Sequence, residues 1–374
     1  MSTEKTYVAG EHPDLPPPAS EVGAIGWIRH NLFSSTTNIV ITVLTFYLLY
    51  VIVPPMLNWL FLDAVFVADS RDDCRAIAAA AGEQLGACWA FIGKRFQIFV
   101  YGFYPADERW RVNIAFILMV AALVPVLFDN VPNRKYGLWF ALASPVIIAW
   151  LLLGGMGLTP VSTDKFGGFM LTLVIGITGI VGSLPLGIAL ALGRQSSMPA
   201  VRMVCVGFIE FIRGVPLITL LFVASTMLNY FLPPGTTFDL LLRVLIMVIL
   251  FSAAYLAEVV RGGLQAIPKG QIEAADSMGL KYWQSMRLII LPQAMKISIP
   301  GIVNTFIGLY KDSTLVIIIG LFDPLGMGRA SLADTKWQGL STEIYVFVAI
   351  FFFVSCFSMA RYSLYLEKKL HTGH

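Results

Sequence analysis

An all-α polytopic membrane protein with about eight transmembrane helices is the fold this sequence predicts, and three observations predict it. Of 374 residues, 57% are hydrophobic and only 13% charged, where an ordinary soluble domain carries about 45–50% apolar and about 25% charged residues. Mean hydropathy is +0.75. Apolar runs repeatedly approach the roughly 20 residues that an α-helix needs to cross a bilayer core. The net charge of +3, from 26 Lys and Arg against 23 Asp and Glu, is too balanced to imply nucleic acid or a polybasic lipid anchor. A water-soluble fold is excluded, so what matters is where the charges sit.

Residues 1–37 read as a tail and an interfacial helix. Pro13, Pro16, Pro17 and Pro18 stand among charged and small residues that cannot bury a core. With no apolar run at the extreme N-terminus, a cleavable signal peptide is not expected, and the first span serves as its own insertion signal. Trp27, Ile28, Arg29, Leu32 and Phe33 suit a short helix at headgroup level. Eight apolar spans follow, at 38–60, 113–128, 138–157, 167–192, 207–232, 240–259, 297–321 and 343–364. The first three belong to an accessory region, 38–165, which holds a long polar loop at 62–111. Within that loop the segment from Ala90 to Tyr104 is apolar enough to be interfacial or re-entrant. In the fourth span Gly176, Gly179, Gly182 and Gly187, with Ser183 and Pro185, are spaced to let helices approach closely in lipid. A second polar stretch, 260–296, separates the sixth and seventh spans.

Orientation follows from the Lys and Arg residues that flank the spans. Placing 260–296 in the cytoplasm puts Arg194, Arg202, Arg261, Lys269, Lys281, Arg287, Lys296, Arg361, Lys368 and Lys369 inside, with only Lys165, Arg329 and Lys336 outside. The C-terminus is then cytoplasmic, and an even number of spans returns the N-terminus there too. That parity puts the 62–111 loop outside although it holds Arg71, Arg75, Lys94, Arg95, Arg109 and Arg111, so the first half disobeys the rule. Cys74 and Cys88 share this loop; they pair if it faces an oxidising periplasm and stay free otherwise, which a thiol count with and without reductant decides. Cys205 and Cys356 lie in apolar runs and read as small buried hydrophobes.

The sequence offers no enzyme chemistry at membrane depth. All four His, at positions 12, 30, 371 and 374, lie near the ends of the chain, so neither an H-E-x-x-H metal site nor a Ser–His dyad can be assembled in the spans. The Cys residues lack the paired spacing of a metal site. The only Gly-Lys pair, Gly93-Lys94, is followed by Arg95 and lacks the upstream Gly of a phosphate loop. Energy from ATP would have to come from another polypeptide.

The most organised sequence runs from Glu273 to Pro292. Gln271 to Met278 are good helix formers, Gly279 supplies a stop, and an amphipathic stretch runs from Lys281 to Leu291-Pro292. This describes a helix–Gly–helix element standing out of the membrane, with Ala274 and Ala275 leaving a thin surface and Glu273 an anion at its entrance. Composition alone would also fit an ordinary helical loop.

The segment fits the pattern E-A-A-x3-G-x9-I-x-L-P at Glu273, Ala274, Ala275, Gly279, Ile289, Leu291 and Pro292. It resembles the loop of ATP-binding-cassette importer permeases. Phe211-Ile-Arg213-Gly-Val-Pro216-Leu and Ala254-Tyr-Leu-Ala-Glu258-Val-Val-Arg261-Gly262-Gly263 resemble motifs of the polar amino-acid permeases, as do Gly270-Gln271, Gln293-Ala294, Pro300, Asn304 and Lys311-Asp312-Ser313-Thr314-Leu315. In the last motif the family more often has Thr-Ser where this chain has Ser-Thr. The resemblance covers 166–370 and implies a five-helix importer core there. The three extra spans and the loop with Cys74 and Cys88 look like the extended subunit of the general L-amino-acid group. It further implies that Glu273, Ala274, Ala275, Gly279 and Leu280 form the coupling helix that docks into a cytoplasmic ATPase dimer. The other implied partners are a second, homologous permease chain and a periplasmic amino-acid-binding protein. No cofactor is expected on this chain, ATP and Mg residing on the ATPase, and the location is a bacterial inner membrane. The alternative from another class is an ion-gradient-driven secondary transporter or channel for small polar solutes. It is disfavoured because the coupling loop would have no purpose and no matching pair of interrupted helices is visible in two halves.

The charges also read independently of any family. Glu210 and Arg213, and Glu258 and Arg261, are spaced i, i+3, so each pair can neutralise itself on a helix, setting orientation or bracing the loop. Lys311 and Asp312 interrupt an otherwise apolar run, and adjacent residues on a helix do not face each other. A charge at membrane depth costs about 2.5–3.5 kcal/mol on insertion scales and normally faces a bundle interior or an aqueous path. Asn304, Lys311, Asp312, Ser313 and Thr314 are therefore expected at the translocation path, where a zwitterion needs both signs and hydroxyls, or in a static charge network at the interface with a second permease.

Overall fold

The computed structural model describes residues 23–82, 84–227, 230, 233 and 238–370. The expected tail at 1–20, with His12, and the terminal His371 and His374 lie outside the described residues. Two compact units divide the chain, one of residues up to 67 plus 73–88, the other of 68–72 plus 89–374.

In the first unit, a short helix forms where one was expected, α1 (Gly23–Leu32), with Trp27 exposed. Ser35 starts α2 (Thr36–Leu57) by accepting a 3.2 Å hydrogen bond from the Asn38 N–H. Pro54 and Pro55 remove two amide donors from its last turns, and Asn58–Leu62 continue in a wider π-turn. Apolar side chains are exposed all around α2, which suits lipid and not water. Beyond it, α3 (Arg71–Ala81) is joined by a Cys74–Cys88 disulfide, with a Cα–Cα distance of 6.1 Å, to a segment whose Ala87 N–H bonds the Trp59 carbonyl.

The second unit begins with α4 (Ala90–Tyr101), the segment expected to be interfacial or re-entrant. At 12 residues it is too short to span. It buries Phe91 and Phe99 against Trp337 and Phe347. Next come α5 (Arg109–Leu127), α6 (Arg134–Leu153), α7 (Gly168–Arg194), α8 (Pro199–Gly214), α9 (Leu217–Thr226), α10 (Leu240–Gln265), α11 (Lys269–Ser277), α12 (Tyr282–Ser285), α13 (Leu291–Asp312), α14 (Pro324–Ser331) and α15 (Ser341–Leu370). A π-turn at Met286–Ile290 fuses α12 to α13, and a 3-10 segment, Ser313–Ile319, extends α13. Residues 89–165 thus share a compact unit with 166–370.

Among the described residues, seven continuous elements are long and apolar enough to cross a membrane, and α8 with α9 makes an eighth bent by 100°. The span expected at 207–232 is this bent pair. Gly214-Val215-Pro216 breaks it, because Pro216 lacks an amide donor and disfavours helix at Val215, which is extended. The polar stretch 260–296 also differs from expectation: α10 runs on to Gln265, and the second amphipathic stretch is continuous with the next span, so only 266–281 lies between the two long helices. Pro292 does not stop that helix because the π-turn Met286–Ile290 just before it widens the ladder where the Pro lacks its amide donor.

Helix α10 is the spine, packed on α7, α8, α9 and α13. The glycines of α7 serve the close packing read from their spacing: a Cβ on Gly187 would lie 2.7 Å from Leu256 Cβ and 3.1 Å from the Ala253 carbonyl oxygen. On the other side, a Cβ on Gly263 would lie 2.6 Å from the Ala294 carbonyl oxygen of α13.

Candidate functional site

Three groups of side chains are spaced between the loop that holds α11 and the interior of the bundle. The first is α11 itself. Its end is closed by a Schellman pair, Gly279 N–H to the Asp276 carbonyl at 2.9 Å and Leu280 N–H to the Ala275 carbonyl at 3.2 Å, which requires the left-handed φ of +69° at Gly279. Glu273 and Ala274 are exposed, as are the apolar Ile272, Met278 and Trp283. Ala275, expected on the thin outer surface, is instead buried, because α11 packs against the Met286–Ile290 turn. Leu280 is half-buried.

The second group is a cluster of five charges from three helices. Glu258 of α10 accepts from Arg261 at 3.0 Å, and its carboxylate lies 2.9 Å from Arg194 of α7 and 3.7 Å from Arg213 of α8 as ion pairs. Arg194 also donates to Glu210 at 2.8 Å. The expected Glu258–Arg261 pair forms. The expected Glu210–Arg213 pair does not: Arg213 lies over the Tyr255 ring, 5.6 Å from its centroid, within reach of Glu258, and Glu210 turns to Arg194. Arg194 was legible only as a basic residue at a span end, since its partners are distant in sequence.

The third group is on α13. Asn304 and Lys311 are exposed, Asp312 is half-buried, and Gly308 between them has open space where a Cβ would stand. Spacings of i, i+4, i+7 and i+8 put these four on one uncovered polar strip. Neither Lys311 nor Asp312 has a salt-bridge partner among the described residues. The hydroxyls expected beside them are committed elsewhere. Ser313 is buried and donates to the Tyr310 carbonyl at 2.7 Å, and Thr314 donates to the Lys311 carbonyl at 3.0 Å, so both bind back onto the preceding turn. The Ser313–Ile319 segment packs against α9. Two interrupted helices therefore meet, although the sequence shows no matching pair.

Arg243 of α10 was missed, and its signal is a lone cation in an apolar run. Its guanidinium donates to the Ser225 carbonyl at 2.6 Å and the Phe238 carbonyl at 3.0 Å, holding the end of α9. Between the last two spans, Asp323 is fully buried and caps α14, its Oδ1 accepting from the Gly326 N–H at 2.8 Å. Burial pushes its carboxyl up to about 6. The basic residues of 62–111 are built into the fold. Lys94 binds Asp69 at 2.7 Å and holds its carboxyl below the usual range, while Arg71 donates to the Gln338 carbonyl at 2.8 Å. Arg95 pairs with Asp334, and Arg111, 1% exposed, pairs with Glu108 at 2.7 Å and donates to the Thr159 carbonyl at 2.7 Å. Cys205 and Cys356 are half-buried rather than buried.

Residues 183–372 match the family model described as binding-protein-dependent transport system inner membrane component. The chain is 50% identical to the inner membrane amino-acid ABC transporter permease protein YhdY of Escherichia coli K12, over 98% of this chain and 99% of the relative. It is 48% identical, over 96% of both sequences, to the glutamate/glutamine/aspartate/asparagine transport system permease protein BztC of Rhodobacter capsulatus. A solved amino acid ABC transporter, crystallised with histidines, shares 29% identity over 54% of this chain and 91% of its own, at a TM-score of 0.47.

Proposed function

The chain belongs to the family of binding-protein-dependent inner-membrane transport components, and from that premise we propose that it is the permease subunit through which an ATP-driven importer carries L-amino acids across the bacterial inner membrane. It is a multi-pass transport subunit that works with an ATPase and a binding protein. The observation that carries the reading is the projecting helix α11, whose Glu273 and Ala274 stand exposed beside Ile272, Met278 and Trp283 at the end of a rigid spine. Apolar side chains exposed on an otherwise polar loop mark a surface that a protein partner covers.

In this reading α11 docks into the cytoplasmic ATPase, which holds ATP and Mg, and both termini of this chain are cytoplasmic. A second, homologous permease completes the pathway, and the binding protein delivers substrate from outside. Asn304, Lys311 and Asp312 line the path, offering both signs to a zwitterion, with α9 and Ser313–Ile319 as its movable wall. Ser313 and Thr314 shape that wall through the backbone and do not contact substrate. The names of the two near-full-length relatives support the amino-acid assignment.

Affinity capture of the intact chain tests the partner assignment and should recover an ATPase. Glu273→Lys should abolish uptake while the chain still inserts, and unchanged uptake would reject the coupling role. Lys311→Met and Asp312→Asn should each cut uptake with the assembly intact; normal uptake in both would reduce the pair to scaffolding.

A further inference from the structure

We propose that Glu258 is a positioning residue that ties movement of α11 to the bend between α8 and α9, and through it to the polar strip on α13. The inference rests on the coupling and path assignments above. Tyr255, Glu258, Arg261 and Gln265 share one face of α10, and Arg261 donates to Gln265 at 2.7 Å. Gln265 is the last residue of α10 and stands just ahead of α11. At the other end of the chain of contacts, Arg213 is the penultimate residue of α8, immediately before the 100° bend. Beyond the bend, α9 packs on Ser313–Ile319, the continuation of the strip that carries Lys311 and Asp312.

The distances say which contact yields. The close approach at Gly187 locks α7 to α10, and Glu258 holds Arg194 and Arg261 at 2.9 Å each. Its contact to Arg213 is the longest, at 3.7 Å, and reaches the bent span next to its break, whereas the 2.8 Å Arg194–Glu210 pair ties α8 to α7 one turn further back. Three guanidiniums share this one carboxylate, whereas among the described residues Glu210 pairs with Arg194 alone. A shift of α10 that tightens or releases Arg213 therefore re-sorts the cluster and pulls on the residue at the bend.

The test uses the complete assembly, reconstituted with its ATPase, second permease and amino-acid-loaded binding protein. Basal and stimulated ATP hydrolysis are read together with the amount of assembled complex. Arg213→Gln and Glu258→Gln should assemble and keep basal hydrolysis, yet lose stimulation on the order of fivefold or more, the size of an ordinary coupling between sites. Arg213→Lys, which keeps the charge, should recover part of it. Normal stimulation in Arg213→Gln overturns the proposal. So does a proportional fall of basal and stimulated rates, or failure of both variants to assemble, either of which makes the cluster a scaffold. Glu273→Lys run alongside separates the two layers. If it leaves stimulation intact, the coupling assignment falls; if it abolishes stimulation while Arg213→Gln does not, only the role of Glu258 falls.

Discussion

Gly279 carries the sharpest requirement of any single residue in the projecting loop. Its φ of +69° with open space around it means that a substitution is opposed by backbone strain and not by a clash. The left-handed conformation costs an L-residue about 1–2 kcal/mol, and Asn tolerates it best after Gly. Gly279→Asn should therefore keep more uptake than Gly279→Val at equal expression; the reverse order would contradict the cap. Asp323 makes a pH-dependent prediction. Its carboxyl, raised by burial from 3.8 to about 6, holds a proton more tightly in the folded chain than in the unfolded one. Between those two values the stability it contributes falls as pH rises. Asn keeps the helix cap, so the melting-temperature advantage of Asp323→Asn over wild type should grow between pH 4 and pH 7, and a constant difference would refute the assignment. Residues of this kind divide by legibility. Gly279 and Glu273 declare themselves by local spacing, whereas Arg194 and Arg213 find partners on other helices, which no local pattern encodes.

At the scale of elements, the spans were legible because each is a long apolar run, and their boundaries were less so because caps and breaks decide them. The bend at Gly214-Val215-Pro216 and the 3-10 segment after Asp312 lie inside apolar sequence, so hydropathy passes over both. Close helix packing was readable from the glycines of α7, but their partners were not. Gly187→Leu should force α7 from α10 at a cost of about 1–3 kcal/mol, the usual range for overpacking, seen as a lower melting temperature in detergent. An unchanged melting temperature would contradict the contact. The Cys74–Cys88 link closes a separation of 14 residues, and a loop near that size is worth about 3 kcal/mol by chain entropy. In the denatured chain two thiols should react without reductant, from Cys205 and Cys356, and four with it. Four without reductant would rule the link out.

Across the whole molecule, the basic residues of 62–111 looked like a violation of the positive-inside rule and are better understood as structure. Lys94, Arg95 and Arg111 are in ion pairs and Arg71 holds a backbone carbonyl, so they report local folding and do not vote on orientation. The rule counts Lys and Arg in short loops near span ends and takes no account of a loop that folds on itself. Under the proposed topology, with the bent α8–α9 pair counted as one of eight candidate spans, accessibility tags at the two ends should both report the cytoplasm, and tags on opposite faces would contradict it. On the proposed reading, this chain converts ATP hydrolysis by a partner into movement of an amino acid through its own helices. The most direct measurement is ATP hydrolysis by the reconstituted assembly with and without amino-acid-loaded binding protein. A rise on loading that Glu273→Lys abolishes is the predicted result, and a rate indifferent to both loading and substitution would contradict the account.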